Sequence, residues 1–368
     1  MHLERLNDDF QWVLSTQESE DDWDEFLSGN RNGSHYQSSM WGQCRAFFGW
    51  KPARLLVKKG DRIIGGAQWL YKKYSKIGAI ALLLKGPVID PEYPEILQPI
   101  LYEIIQACHK QKIRFLTVRP PDNGFDMDRS FLATGFIKSP LKISLGASVI
   151  NDLSLDMEMI FSKIKKNTRR LINRSRETGV IIGMGTESDL PVFYDLYTLS
   201  AIRQKFNPYP FEYFNKLWNV FNPGGHIFLN FAYYQGEPVS STITIGFGHT
   251  VCGKYTAWSG KWPEKNINDV IWWDSIKWAK SNGYDTFDFD GLNPEMAKEI
   301  LKGPPYSDDL YKSYNYRKLL YGGQVIILPD AYDYVLNPFL RFGYKAIHFL
   351  LKTQSKKIEK LWKKIKNG

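Results

Sequence analysis

The sequence has few cysteines and lacks the spacings that bind a structural metal. Three of the 368 residues are cysteine, namely Cys44, Cys108 and Cys252, and an odd number this far apart implies no disulfide framework. The six histidines are scattered, and no Cys/His spacing resembles a zinc site. No Gly-x-Ser-x-Gly elbow is present, and no cysteine has a histidine partner in a recognisable motif. The sequence therefore offers no candidate for a catalytic nucleophile or a metal centre.

Long apolar runs and a secretion signal are also missing. The most apolar run, residues 77–84, is far too short to span a bilayer. The N-terminus has no basic segment followed by an apolar core. We therefore expect a cytoplasmic protein.

Positive charge is concentrated at the C-terminal end. The net charge is +9, and residues 341–368 hold nine Lys and Arg against one Glu, so eight of the nine charges lie there. The near-neutral remainder argues against a general nucleic-acid surface and indicates a basic tail. We expect a helical segment over 332–366 whose last part, 346–368, has the pattern of a basic amphipathic surface helix. Its front, 342–351, is expected to pack on the body, and 352–366 to lie near the inner membrane face.

Two stretches share the order β-β-β-α-β. In residues 227–289 a hairpin and a third strand precede a helix from about Asn268 and a strand with alternating Phe287 and Phe289. Residues 54–118 repeat that order with almost no residue identity. It is the core order of the GNAT-type acyltransferase fold, so we expect an α/β protein with mixed sheets and two tandem GNAT-like domains. The alternation also predicts that Asp288 and Asp290 face water or the edge of a cleft.

We place the first domain at residues 1–150, with a returning segment at 317–345, the second at 151–316 and the tail at 346–368. A basic helix is predicted from about 156 to 178, between the two repeats. A solvated helix face and a surface for phosphates both fit this pattern. Its cations are Lys163, Lys165, Lys166, Arg169, Arg170, Arg174 and Arg176.

Five local motifs, in order along nearly the whole chain, resemble the Fem family of peptidoglycan-bridge aminoacyltransferases. They are YQSSMWG at 36–42 with the following Gly49-Trp50, LKGPVID at 84–90, NDLS at 151–154 with the basic helix, IKWAK at 276–280 with FDFDG at 287–291, and Lys318 before Tyr321-Gly322-Gly323. Family members transfer an amino acid from aminoacyl-tRNA to an amine on the peptide of a lipid- or nucleotide-linked cell-wall precursor. The resemblance thus implies aminoacyl-tRNA and a peptidoglycan precursor as partners.

The resemblance also implies site residues. Arg45 and Arg203 fall where the family binds the precursor phosphates, Lys318 falls at the lysine near the acyl-transfer centre, and Asp90 matches a precursor contact. Tyr255, on the third strand of the second repeat, is a candidate for substrate binding or for the core. Two departures are that Arg45 replaces a lysine and that Arg317 stands where the motif has Phe. The long coiled-coil arm of the commoner members is also missing, so this chain resembles the short branch.

Aminoacyl transfer needs little beyond positioning and a cation at the developing oxyanion, a role we assign to Lys318. We expect a monomer that uses no cofactor. An acyl-CoA-dependent N-acyltransferase acting on a cell-envelope or polysaccharide precursor remains an alternative. No Gly-rich pyrophosphate turn follows either strand that precedes a helix, which argues against it. A third hypothesis is a protein that binds nucleic acid or a membrane surface through the tail.

Overall fold

The computed structural model describes residues 9–75, 78–139, 146–177 and 179–337, together with Arg341 and Tyr344. The chain divides into two compact units, and the second, Leu145–Ile327, is inserted into the first. The predictions for residues 338–340, 342–343 and 345–368 lie outside the described residues.

The first unit takes its elements from both sides of the insertion. Its elements before the insertion are β1 (Phe10–Ser15), α1 (Asp21–Gly29), α2 (Ser39–Ala46), β2 (Lys51–Lys59), β3 (Arg62–Tyr74), β4 (Gly78–Leu84), β5 (Val88–Ile89), α3 (Leu97–Lys110), β6 (Ile113–Arg119), α4 (Asp128–Ala133) and β7 (Ile137–Lys138).

The second unit and the return to the first supply the remaining elements. They are β8 (Ala147–Asp152), α5 (Met157–Lys163), α6 (Lys166–Glu177), β9 (Ile181–Met184), α7 (Leu190–Gln204), α8 (Phe211–Phe221), β10 (Ile227–Tyr234), β11 (Glu237–Phe247), β12 (Thr250–Trp258), α9 (Ile267–Ser281), β13 (Thr286–Asp288), α10 (Pro294–Lys302), α11 (Asp308–Lys312), α12 (Tyr314–Leu319), β14 (Gln324–Ile327) and β15 (Tyr332–Val335).

The first unit is built on a mixed sheet with the order β1-β2-β3-β4-β6-β15-β7, and β5 pairs with β3. Strands β4 and β6 run parallel, as a helical crossover requires, and α3 supplies that crossover. The inner face of α3 buries Ile100, Ile104 and Cys108 against the sheet. Burial of this apolar face, at about 25 cal/mol per Å², is the main stabilising term.

The second unit repeats the arrangement in a sheet with the order β14-β8-β13-β12-β11-β10-β9. Its parallel pair is β12 and β13, and α9 forms the crossover between them. Trp272, Ile276 and Ala279 of α9 pack with Phe287 and Phe289 in the core. Both β-β-β-α-β repeats and the mixed α/β class are therefore confirmed. Within the described ranges the longest helices, α7 and α9, have 15 residues each, which is well short of a coiled-coil arm.

The unit boundaries differ from the predicted ones at both points where the chain passes from one unit to the other. Residues 147–150 belong to the second unit because β8 pairs with β13 and β14. Residues 317–327 also stay in the second unit, because Tyr321 packs in its core and β14 lies at the edge of its sheet. The return to the first unit therefore begins at Leu328 rather than at residue 317.

The prediction of a helix from residue 332 is wrong at its start. Tyr332–Val335 is a strand that pairs with β6 on one side and β7 on the other. Tyr332 and Tyr334 are two residues apart, which is the spacing of one face of a strand, and the position between β6 and β7 in the sheet fixes this conformation. The polar segment 293–309 contains α10, which Asn293 caps by accepting from the backbone N–H groups of Glu295 and Met296.

The predicted basic helix is two helices, α5 and α6. Asp156 caps α5 by accepting from the backbone N–H of Met159 at 2.7 Å. Ile164 is extended, with φ −62° and ψ 138°, and the backbone N–H of Lys165 donates to the carbonyl of Leu320 at 2.9 Å. Gly322 has φ +79°, and a Cβ there would lie 2.6 Å from the carbonyl carbon of Lys163. The Gly-Gly turn thus lets the end of α5 approach the segment that holds Lys318.

Candidate active site

A cavity of about 530 Å³ lies wholly within the second unit. Its walls come from α7, from β12 and the loop after it, from the first turn of α9, from the end of β13 and from α12. This volume is in the range of small-molecule and substrate sites. Its aromatic lining residues are Tyr197, Phe206, Tyr255, Trp258, Trp262, Trp272, Phe289, Tyr314 and Tyr321.

The charged lining is mainly cationic. Arg203, Lys254, Lys312, Arg317 and Lys318 are its cations, and Asp269 and Asp290 are its acids. Three of the predicted site residues, Arg203, Tyr255 and Lys318, therefore line one cavity. Arg45 and Asp90 belong to the other unit.

Lys318 is buried, and backbone carbonyls surround its ammonium group. The Nζ atom donates to the carbonyl oxygens of Phe289 at 2.9 Å and Asp290 at 3.4 Å, and also to that of Gly291. Burial lowers the pKa of Lys318, and the nearby Asp290 and Asp288 raise it in part. The bond to Asp290 is the longest and therefore the weakest, so an oxyanion in the cavity could replace it at the lowest cost.

The turn after β13 presents these three carbonyls. Asp288 is buried, accepts from the hydroxyl of Ser148 and accepts from the backbone N–H of Asp290 at 2.8 Å. The backbone N–H of Gly291 donates to the Ser148 hydroxyl at 3.2 Å. The expectation that Asp288 faces water or a cleft edge is wrong, because its carboxylate shapes the turn from inside. Asp290 lines the cavity and accepts from Lys254 at 2.6 Å.

Arg203 lies in the last turn of α7, where its guanidinium group covers the ring of Trp258 at 4.5 Å from the centroid. Two of its N–H groups donate, one to the carbonyl of Trp258 at 3.1 Å and one to the Ser200 hydroxyl at 3.3 Å. Partial burial lowers the pKa of Arg203, but a guanidinium stays protonated in proteins. Stacking on Trp258 thus fixes the orientation of the Arg203 guanidinium group. Three of the five N–H groups of that guanidinium are not used by these two hydrogen bonds.

Tyr255 belongs to a cluster of aromatic rings, and it also lines the cavity. Its hydroxyl lies 3.1 Å from that of Tyr213. Burial raises the pKa of Tyr255 well above its ordinary value, so the phenol is neutral at working pH. It offers a hydrogen bond and an apolar face but no charge.

Sequence reasoning missed Asp269, which lies in the first turn of α9. It is 5% exposed, lines the cavity and accepts from the hydroxyl of Tyr321 at 2.8 Å through Oδ1. Burial raises the pKa of Asp269, while the Tyr321 hydrogen bond and the charge of Arg317 lower it in part. An acidic residue early in a helix was the available signal, but that feature is common on solvated helices.

The cations of α5 and α6 form a surface that we call the basic helix pair. Lys163, Lys165, Lys166, Arg170 and Arg174 are exposed, and no ion pair involves them in the part of the chain that the structure describes. The second helix of the pair, α6, is joined to cavity-lining segments at both of its ends. Lys165 bonds to Leu320 at one end, and the hydroxyl of Ser175 donates to the carbonyl of Lys265 at the other.

In the first unit, Arg45 is half-buried on α2 and lies over the ring of Phe48, 4.8 Å from the centroid. Asp90 is 6% exposed and accepts from the guanidinium of Arg62 and from the backbone N–H of Glu92 at 3.0 Å. These contacts hold the carboxylate of Asp90 in the loop after β5. Its assignment to the precursor stays a prediction.

In the described ranges, no group of three His, Cys, Asp or Glu side chains could hold a metal ion. Among the helices of those same ranges, none has the length and apolar character that a bilayer crossing requires.

The first comparison with known proteins concerns the second unit. Residues 162–302 match the model of the acetyltransferase (GNAT) domain. This range contains α7, β12 and the first turn of α9, and Lys318 lies after it.

Curated relatives are named lipid II:glycine glycyltransferases. The relative from Staphylococcus saprophyticus is 23% identical over 59% of this chain and 55% of its own length. The relative from Staphylococcus epidermidis is 20% identical over 67% of this chain and 62% of its own length. The chain thus spans about three-fifths of the length of the curated relatives it matches.

Among solved structures, the crystal structure of FemX has a TM-score of 0.77 and 17% identity, and the match covers 92% of this chain and all of that one. The resemblance to the Fem family is confirmed. A tandem GNAT protein from the clavulanic acid biosynthesis pathway also matches, with a TM-score of 0.52, 11% identity and coverage of 89% and 99%. The predicted fold of two tandem GNAT-like domains in a Fem-like chain is confirmed, and the matched GNAT domain supports an acyltransferase.

Proposed function

We propose that the protein is a Fem-like aminoacyltransferase. It moves an amino acid from aminoacyl-tRNA to an amine on the peptide of a lipid- or nucleotide-linked peptidoglycan precursor. The observation that carries the proposal is the cavity of the GNAT-type unit, which Lys318, Arg203 and Tyr255 line together. Relatives named for glycine transfer to lipid II support this acceptor class.

The geometry suits attack of an amine on an ester. Such a reaction passes through a tetrahedral oxyanion, and the ester is already activated, so positioning and a cation near the developing charge supply most of the catalysis. The buried ammonium of Lys318 is that cation. Because water is largely excluded around it, its attraction to the oxyanion is stronger than it would be in bulk solvent.

The basic helix pair supports a polynucleotide donor. Its exposed cations lie on segments bonded to Leu320 and Lys265, beside residues that line the cavity. An RNA backbone lying along α6 would meet unneutralised Arg and Lys side chains that suit phosphates. Its aminoacylated 3′ end would then enter the cavity.

The acyl-CoA alternative rests on the match to the GNAT acetyltransferase model. In such enzymes a diphosphate binds at a helix N-terminus that offers free N–H groups. Here the corresponding helix, α9, has the carboxylate of Asp269 buried in its first turn. A negative charge at this place repels a diphosphate, so the aminoacyl ester is the better donor.

A direct assay distinguishes the two donors. The full chain is incubated with charged tRNAs and nucleotide- or lipid-linked muropeptide, with acetyl-CoA in parallel. We expect transfer from aminoacyl-tRNA, and transfer from acetyl-CoA alone would overturn the proposal.

The role of the basic helix pair has a matched control. Arg170→Gln with Arg174→Gln removes two cations from α6, and Lys298→Gln with Lys302→Gln removes two from α10. We expect the α6 variant to raise the KM for aminoacyl-tRNA and to reduce the slope of log affinity against log salt by about 0.7–0.9 per lost phosphate contact. Equal effects of the two variants would mean that α6 has no special role.

We also propose that the protein acts as a monomer in the cytoplasm. The basic tail, 346–368, contacts the anionic inner face of the membrane, where a lipid-linked acceptor would be found.

A further inference from the structure

Asp269 is an acid in a cavity whose other charges are mostly positive. Its side chain is 5% exposed, and its Oδ1 accepts from the Tyr321 hydroxyl at 2.8 Å. No hydrogen bond in the described residues uses its second carboxylate oxygen, and none of their ion pairs includes Asp269. The residue is therefore nine-tenths buried, lines the cavity and keeps one oxygen available to a ligand.

Burying a carboxylate of this kind costs free energy of folding, because the charge loses its hydration, unless a cation or hydrogen bonds compensate that loss. The Tyr321 hydroxyl and the N-terminus of α9 supply part of the compensation. Arg317 also lines the cavity, and its charge favours the ionised form, but its guanidinium lies beyond ion-pair distance. A cation that enters the cavity with a substrate would complete the compensation.

We propose that Asp269 binds the α-ammonium group of the aminoacyl donor and selects donors that have a free amino group. The inference rests on the proposed function and deepens it by naming the group that is recognised. In an aminoacyl ester the ammonium nitrogen is two bonds from the reacting carbonyl carbon. Holding it at Asp269 therefore keeps the ester in the cavity that Lys318 lines. An acyl thioester of a simple acid has no such cation.

Tyr321 acts as a positioning residue in this arrangement. Its hydroxyl fixes Oδ1, so the second oxygen points to the ligand in one orientation. Tyr321 is itself held by ring contact with Phe289, and its backbone carbonyl accepts from the amide of Asn151 at 2.7 Å. The same short segment thus places both Lys318 and the partner of Asp269.

The test uses two stable donor analogues. One is 3′-deoxy-3′-(glycylamino)adenosine, which has a free α-ammonium, and the other is its N-acetyl derivative, which has none. Calorimetric titration at pH 6.5 keeps the amino group, of pKa about 8, protonated. We expect the intact protein to bind the free-ammonium analogue about tenfold more tightly, the effect of one charge-assisted hydrogen bond. In Asp269→Asn the two affinities should become equal.

Asn at this position can still accept from Tyr321, so the substitution removes the charge with little change in shape. Tyr321→Phe is the complementary control, because it removes the hydrogen bond to Asp269 and leaves the carboxylate. It should retain a preference for the free-ammonium analogue, and thermal unfolding checks that both variants are folded.

The outcomes separate this inference from the proposed function. Equal binding of both analogues to the intact protein would overturn the role of Asp269 and leave aminoacyl transfer standing. A preference that survives in Asp269→Asn would also overturn it. If neither analogue binds the intact protein, both proposals fail. A role as general base is distinguished by kinetics, since Asp269→Asn would then lower kcat equally for tRNA donors with free and acetylated amino groups.

Discussion

Replacing Lys318 by Met tests whether its ammonium stabilises the oxyanion. The change removes the charge from a buried position and leaves an unbranched chain of similar volume. The carbonyls of Phe289 and Gly291 lose their close ammonium partner. An oxyanion-hole donor contributes about 10²–10³ in kcat, so we expect a loss of that size in aminoacyl transfer.

The same substitution also changes the stability of the fold. An unsatisfied buried acceptor costs about 1–3 kcal/mol. The Met variant also avoids the desolvation of a buried ammonium, which is several kcal/mol. These terms oppose each other, so we expect a net loss of no more than about 3 kcal/mol in the free energy of unfolding. For a domain of this size each kcal/mol lowers Tm by about 2–4 °C, and rates are therefore measured well below Tm.

Ser148→Ala is the control for this experiment. The Ser148 hydroxyl bonds to Asp288 and accepts from the backbone N–H of Gly291, so its loss disturbs the same turn without touching the ammonium. We expect lower stability and a kcat within a few-fold of the intact enzyme. The reasoning about Lys318 would be refuted if the Met variant, folded at the assay temperature, kept its kcat within threefold, or if Ser148→Ala lost as much.

Two further predictions use single substitutions. Arg45→Ala and Arg203→Ala should each weaken binding of the diphosphate precursor by about 1.5–3 kcal/mol, measured by titration; unchanged affinity in both would remove the phosphate assignment. For His226, burial lowers the pKa, while its contact with the Gly246 carbonyl at 3.0 Å raises it in part. The unfolded state therefore binds more protons between the lowered pKa and about 6.5, so stability rises with pH across that window. Denaturant titrations at several pH values should show this rise, which His226→Gln should reduce, and identical pH slopes would contradict it.

The repeated order of strands and helices could be predicted because alternation and helical periodicity are local. The conformations of two segments, at Ile164 and at Tyr332–Val335, could not be predicted from local patterns. Ile164 continues the apolar stripe of a single helix, yet the bond from Lys165 to Leu320 ends that helix. Tyr332–Val335 was included in a helix because apolar residues later in the tail recur at near-helical spacing, but its partners are β6 and β7, about 200 positions earlier in the chain. Tertiary pairing decided both cases.

The cavity was predicted in part, for a similar reason. Arg203, Tyr255 and Lys318 could be proposed from a resemblance in short motifs, and the structure brings them to one cavity. Asp269 could not be proposed from the sequence. Its role as a buried carboxylate in the cavity depends on burial and on the hydroxyl of Tyr321, 52 residues later. The exposure of Asp288 was predicted wrongly, because alternation says which face of the strand a side chain is on and not what covers that face.

The position of β15 has a consequence for the order in which the chain can fold during synthesis. The strand lies between β6 and β7, so the first unit's sheet lacks an inner member until residue 335 has left the ribosome. Every strand of the second unit's sheet is available by Ile327. The unit that begins the chain is thus the last to be completed. Until β15 is synthesised, β6 is an open edge strand of the nascent chain and is able to pair with a wrong partner.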